Sequence, residues 1–127
     1  MAEYADKYNA RLVLINRRGY PGSDPITDEE RNELLCNTDT AIVNANLQKF
    51  MDRRTQEIHK FLCLFIKNEN IKPCVASKSH GGIILAGWSV GASFALGFIA
   101  NAKRFSRSII DGVDIKRYLR HVVLYGL

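Results

Sequence analysis

Apolar positions in this chain come as short runs of branched residues, separated by stretches in which they recur at helical spacing. Residues 11–16 (RLVLIN) are one such run, and predict a strand buried on both faces of a parallel sheet. Arg17-Arg18-Gly19-Tyr20-Pro21-Gly22-Ser23 follows, a loop by its glycines and proline, while residues 2–9 read as the tail of a helix feeding the strand. Thr27 and Glu30 form a capping-box pair, and Asp28 and Glu29 suit the positive start of a helix. From Thr38 or Asp39 to about Lys67 a long helix is expected. Its stripe is Val43, Leu47, Phe50, Ile58, Phe61, Leu62 and Phe65, with Asp52, Arg53, Arg54, Gln56 and Lys60 largely outside it. After a polar linker at 76–80, residues 82–87 (GIILAG) predict a second buried strand. Ser89 to Ala102 then predicts a helix of small and apolar residues. Residues 103–118 read as a polar, basic connection, and 119–125 (LRHVVLY) as a third strand. This alternation predicts an α/β fold with a parallel three-stranded core (about 11–16, 82–87 and 119–125), flanked by helices in one domain over 1–127.

Composition narrows the function classes. Hydrophobic content of 46% and charged content of 24% are those of an ordinary globular protein, not a disordered one. No run is long and apolar enough to span a membrane, and the polar Glu3, Asp6, Lys7 and Asn9 after Met1 do not form a secretory signal. A cytoplasmic location is therefore the default expectation. The net charge of +5 comes from scattered pairs (Arg17-Arg18, Arg53-Arg54, Lys103-Arg104, Lys116-Arg117) rather than a dense stripe, so no nucleic-acid partner is expected. Cys36, Cys63 and Cys74 lie far apart and match no zinc spacing with His59, His80 or His121. Free, buried or half-buried thiols are expected, with no metal and no organic cofactor.

The chemistry is concentrated in Gly87-Trp88-Ser89-Val90-Gly91. Gly-x-Ser-x-Gly is weak alone; its meaning comes from a buried strand ending at Gly87 and a small-residue helix starting directly after. A serine on so sharp a turn is forced into an unfavourable backbone conformation that lifts its hydroxyl above the sheet edge. Glycines two before and two after remove side chains that would collide. The helix start offers unpaired N–H groups, that of Val90 among them, to a developing oxyanion. Ser89 is thus the candidate nucleophile and Val90 the candidate oxyanion donor. The motif fits neither Gly-x-Gly-x-x-Gly nor a Gly-Lys-Ser/Thr phosphate loop.

Two blocks carry a family resemblance. Ile83-Ile84-Leu85-Ala86-Gly87-Trp88-Ser89-Val90-Gly91-Ala92 resembles the fifth strand, nucleophile elbow and following helix of the α/β-hydrolase superfamily, in its broad esterase/lipase-like branch. Asn16-Arg17-Arg18-Gly19-Tyr20-Pro21-Gly22-Ser23 is similar to that family's Asp-x-Arg-Gly-x-Gly-x-Ser loop after the fourth strand, with Asn16 in place of the acid and Pro21 at a usual glycine position. The resemblance implies the central part of such a fold, from about the helix before the fourth strand to the sixth strand. That is an incomplete domain: a fragment, a truncated gene model or a degenerate relative. It further implies a serine hydrolase of an ester or related acyl substrate, with acid and histidine following the sixth strand and absent from this chain. The alternatives are a catalytically inactive or truncated relative acting as a binding module, and lyase or transferase chemistry at the same elbow.

Other residues invite roles. His80-Gly81-Gly82 resembles an oxyanion loop in composition but directly precedes the elbow strand, where a turn is expected. His121 lies inside a strand pattern and His59 inside a helix, and neither is taken as the catalytic base. Asp111 and Asp114 are expected to be solvated loop acids, and Arg18 to hold its loop. Trp88 either shapes an acyl pocket or packs under a neighbouring loop.

Overall fold

In a computed structural model, residues 2–35, 38–75, 80–105 and 110–126 are described. Contacts divide the chain into two compact units, Met1–Asn37 and Thr38–Leu127.

The first unit holds helix α1 (Ala2–Lys7) and helix α2 (Asp28–Leu35). The capping box forms reciprocally: the Glu30 N–H donates to Thr27 Oγ1 at 3.2 Å, and the Thr27 N–H donates to Glu30 Oε2 at 3.2 Å. Between the helices, the Gly19 N–H donates to the Asp24 carbonyl at 2.8 Å, closing the loop that the two glycines and proline predicted.

The expected strand at 11–16 is not there. These residues belong to no strand, and Leu14 is 85% exposed, with Leu12, Val13 and Ile15 exposed beside it. A parallel strand is stable only when neighbours satisfy its N–H and C=O groups and layers cover both faces. Residues 11–16 are all exposed, so cover on both faces is missing. The three-stranded core is therefore corrected to a two-stranded parallel sheet in a small α+β arrangement.

That sheet lies in the second unit. Helix α3 (Thr40–Asn68) starts at Asp39, whose carboxylate accepts from the Ala41 N–H at 2.8 Å, and runs without glycine or proline to the turn before Pro73. Strand β1 (Ile83–Trp88), helix α4 (Val90–Ala100), the short helix α5 (Ala102–Phe105), a 3₁₀ turn (Ile115–Arg117) and strand β2 (Leu119–Tyr125) follow. Strand β1 thus begins one residue later and ends one later than 82–87, and α4 is shorter than Ser89 to Ala102.

Register explains how the sheet packs. Leu85 pairs with Val122 and Gly87 with Leu124 on one face, while Ile84–His121, Ala86–Val123 and Trp88–Tyr125 share the other. An irregularity between Ile83 and Ile84 skips Arg120, so that Leu119 as well as Val122 reaches the core. The core is Leu62, Cys63 and Ile66 from α3, Leu85 from β1, Ala95 and Phe98 from α4, and Val113 and Ile115. It covers one face of the sheet; Ile84, Ala86, Trp88, Val123 and Tyr125 are exposed on the other. The strands are therefore half-buried, not buried on both faces. The connection after α5 also differs from its polar reading, because Val113 and Ile115 are core residues.

Helix α3 buries a face that shares Leu62 and the partly buried Ile58 with the predicted stripe and departs from it elsewhere. Arg54, Thr55, His59, Leu62, Cys63 and Ile66 are buried, whereas Leu47 and Phe61 are exposed. Arg54, expected off the stripe, is 7% exposed, with its Nη2 3.0 Å from Glu57 Oε1 and its guanidinium over the Phe50 ring.

Candidate active site

Ser89 sits at the junction of β1 and α4, on the bend between the elements. Its backbone has φ 53° and ψ −126°, a region that costs a non-glycine residue about 1–3 kcal/mol. The bend is held from both sides: the Ser89 N–H donates to the Tyr125 carbonyl at 2.9 Å, and the Ala92 N–H donates to the Ser89 carbonyl at 2.8 Å. Strand β2 thus fixes the elbow from beside it and the first turn of α4 from ahead.

Serine before a helix commonly serves as a cap: its backbone is extended and its hydroxyl accepts from the second or third helical N–H. Ser89 does neither. Its φ is positive, its side chain makes no cap bond, and the residue is exposed. The Val90 N–H opens the helix and has no intrahelical acceptor by position, so it can meet negative charge beside Ser89.

The two motif glycines are not equivalent. A Cβ on Gly87 would strike the Gly91 carbonyl oxygen and stand 2.8 Å from Ala92 Cα, so strand and helix approach too closely for any side chain there. A Cβ on Gly91 would meet nothing within 4 Å. The steric argument holds for the first glycine and fails for the second among the described residues.

None of the histidines reaches Ser89. His121 pairs with Ile84, five residues behind the serine, and a strand rise of about 3.3 Å per residue puts it roughly 17 Å away. His80 precedes β1 at the opposite end of the strand. The Gly81-Gly82 step behaves as a turn: both have φ +71°, and a Cβ would strike the Pro73 carbonyl at Gly81 and the Tyr118 carbonyl at Gly82. His59 is buried in α3 with its ring centroid 6.4 Å from that of Phe98, and desolvation lowers its pKa below the ordinary 6.5.

The remaining candidates have structural roles. Arg18 donates from Nε to the Pro25 carbonyl at 2.9 Å and lies 3.5 Å from Glu30 Oε1, holding its loop to the start of α2. Asp114 caps the 3₁₀ turn by accepting from the Lys116 N–H at 3.1 Å, and Asp111 lies 3.6 Å from Lys67 Nζ. Cys63 is fully buried, and burial, then Asp111 and Asp114, push its thiol pKa upward; Cys74 is half-buried and Cys36 lies outside the described residues. Among the described residues no group of three or more His, Cys, Asp or Glu side chains gathers to hold a metal, and no helix is long and apolar enough to cross a membrane.

Among the described residues Trp88 packs under no loop, the alternative to lining a pocket. It is 75% exposed, and a Cβ on Gly126 would lie 3.2 Å from its Cδ1. The sequence reading missed Tyr125 and Gly126, which parallel pairing brings beside the serine from a distant part of the chain. The one signal for them was the aromatic residue closing the last strand run. The chain matches no protein-family model, no curated protein and no solved structure.

Proposed function

We propose that this chain carries the nucleophile elbow of an α/β-hydrolase-like serine hydrolase acting on an ester or related acyl substrate. The observation that supports this most is the positive-φ backbone of Ser89, at the exposed end of a parallel strand, with its side chain making no helix-cap bond. A serine retained in a strained turn for no capping gain suits a role outside folding. In the reaction, Ser89 Oγ bonds to the substrate carbonyl carbon as its proton passes to an imidazole. The carbonyl π pair moves to oxygen, where the Val90 N–H donates to it. Collapse restores the carbonyl and expels the alcohol oxygen, which takes the proton back. Water repeats the two steps and releases the acid, returning Ser89.

This reading requires an imidazole and a carboxylate that the described residues do not bring to Ser89. That same observation favours the second reading, a catalytically inactive relative that keeps the fold of the elbow for binding. Labelling with a fluorophosphonate separates them, using the protein as its own cells make it and mapping the adduct. The hydrolase reading expects an adduct on Ser89 that Ser89→Ala removes, and only feeble labelling of the 127-residue chain alone. Absence of any Ser89 adduct in the native product leaves the binding module.

A further inference from the structure

We infer that Lys72, Lys116, Arg117 and Arg120 form an anion site at the amino end of the sheet, suited to the phosphate of a small phosphorylated ligand. Both strands start at that end, Ile83 pairing with Leu119. Ser89 lies at the carboxyl end, so the site is separate from the elbow and does not depend on its role. Charge is unevenly distributed along the chain. Residues 70–127 hold eight Lys and Arg against two Asp and no Glu, whereas residues 1–69 hold ten against eleven acids. The net charge of +5 therefore belongs to the second stretch. Its cations are scattered in sequence, and backbone hydrogen bonds gather four of them. The Cys74 N–H donates to the Arg117 carbonyl and the Gly82 N–H to the Lys72 carbonyl, both at 2.8 Å. The Ile83 N–H donates to the Tyr118 carbonyl at 2.7 Å, which brings the start of β2 beside both.

Arg120 is the most constrained of the four. The register irregularity between Ile83 and Ile84 leaves it with no partner on β1. Its stem lies against the Gly81-Gly82 turn, where a Cβ on Gly82 would stand 2.9 Å from Arg120 Cγ. Its Nε is buried, with no hydrogen-bond partner among the described residues. Taking part of a guanidinium out of water is costly unless an anion faces the group. No acid of the chain does so: among the described residues none of the four cations makes an ion pair, whereas Lys67 has Asp111 at 3.6 Å. Asp114, the one other acid after Glu69, accepts from the Lys116 N–H as the cap of the 3₁₀ turn. Lys72, Lys116 and Arg117 are exposed, so a ligand reaches them from solvent. A carboxylate would be answered by one arginine. A phosphate brings nearly two charges and three acceptor oxygens, enough for both guanidinium forks and a lysine. A nucleic-acid strand would want stacking rings beside its phosphates, and the exposed rings of this sheet, Trp88 and Tyr125, are at the other end.

Inorganic pyrophosphate is titrated into the 127-residue chain at fixed ionic strength and followed by backbone amide shifts, with acetate as the singly charged comparison. Saturable shifts are expected at Cys74, Gly82 and Tyr118 and none at Ser89 or Val90. They should appear at concentrations at least about tenfold below those acetate needs. Lys72→Gln and Arg117→Gln, both at exposed positions, should each weaken binding by about three- to tenfold while the unfolding midpoint is unchanged. Arg120→Lys keeps the charge but loses the fork, and should cost a similar factor. Lys60→Gln removes a cation outside the cluster and should cost nothing. Absence of saturation in the millimolar range overturns the site. An equal loss in Lys60→Gln does so too, because it marks diffuse attraction by net charge. A short thymidine oligonucleotide that binds more tightly than pyrophosphate and displaces it overturns the small ligand in favour of a nucleic-acid surface.

Discussion

The backbone of Ser89 and the space around its two glycines make separate demands, and substitution tells them apart. Gly87→Ala forces a methyl group into the Gly91 carbonyl, where neither partner is a flexible side-chain end. The expected cost is about 1–3 kcal/mol, read from the urea unfolding midpoint. Gly91→Ala meets open space in the first turn of α4, and should be neutral or raise stability by up to about 1 kcal/mol. Equal losses at both positions would contradict the geometry of the elbow. His59 makes a second residue-scale prediction. Burial holds its folded pKa below 6.5, so in acid the unfolded chain binds a proton that the native chain resists. Stability is then level above pH 6.5 and falls as pH drops below it through the folded value. Denaturant unfolding between pH 5 and 7 should show that slope, and His59→Gln should flatten it.

Elements are decided by local chemistry at their ends and by neighbours along their faces. The capping box of α2 was legible because Thr27 and Glu30 need only each other. Thr27→Ala should weaken the helix by about 1 kcal/mol, seen as faster amide exchange across Asp28–Leu35 with little change in α3. The buried face of α3 was not legible in the same way. Phe61 and Leu47 fit an apolar stripe, yet the helix turns Thr55, His59 and Cys63 inward. Helix α4 meets that face, closely at one point: a Cβ on Gly97 would be 2.9 Å from Thr55 Cγ2, and the His59 ring lies 6.4 Å from that of Phe98. At 11–16, branched composition promised a strand, but composition supplies no hydrogen-bonding neighbour.

Across the whole molecule, the apolar core belongs to one unit. Every residue of the buried cluster lies in 38–127, whereas the one buried residue among those described in 1–37 is Glu30. A chain beginning at Thr38 should therefore keep its cooperative unfolding transition, with a midpoint close to that of the full chain. It should also stay soluble to higher concentration, because the exposed apolar run at 11–16 is gone. Loss of the transition on truncation would show that residues 1–37 are needed to hold the core.

The amino-acid sequence by itself determined what depends on near neighbours in the chain. It marked the bend between Trp88 and Val90, the span of α3, the cap of α2 and the run that becomes β2, because turn sterics, capping and periodicity act over a few residues. Only the tertiary structure decided what depends on distant partners. These are the absence of a strand at 11–16, the face α3 buries, the open space at Gly91, and the arrival of Tyr125 and Gly126 beside Ser89. Each turns on which surfaces meet and how closely, and pairing register and packing distance are properties of two segments at once.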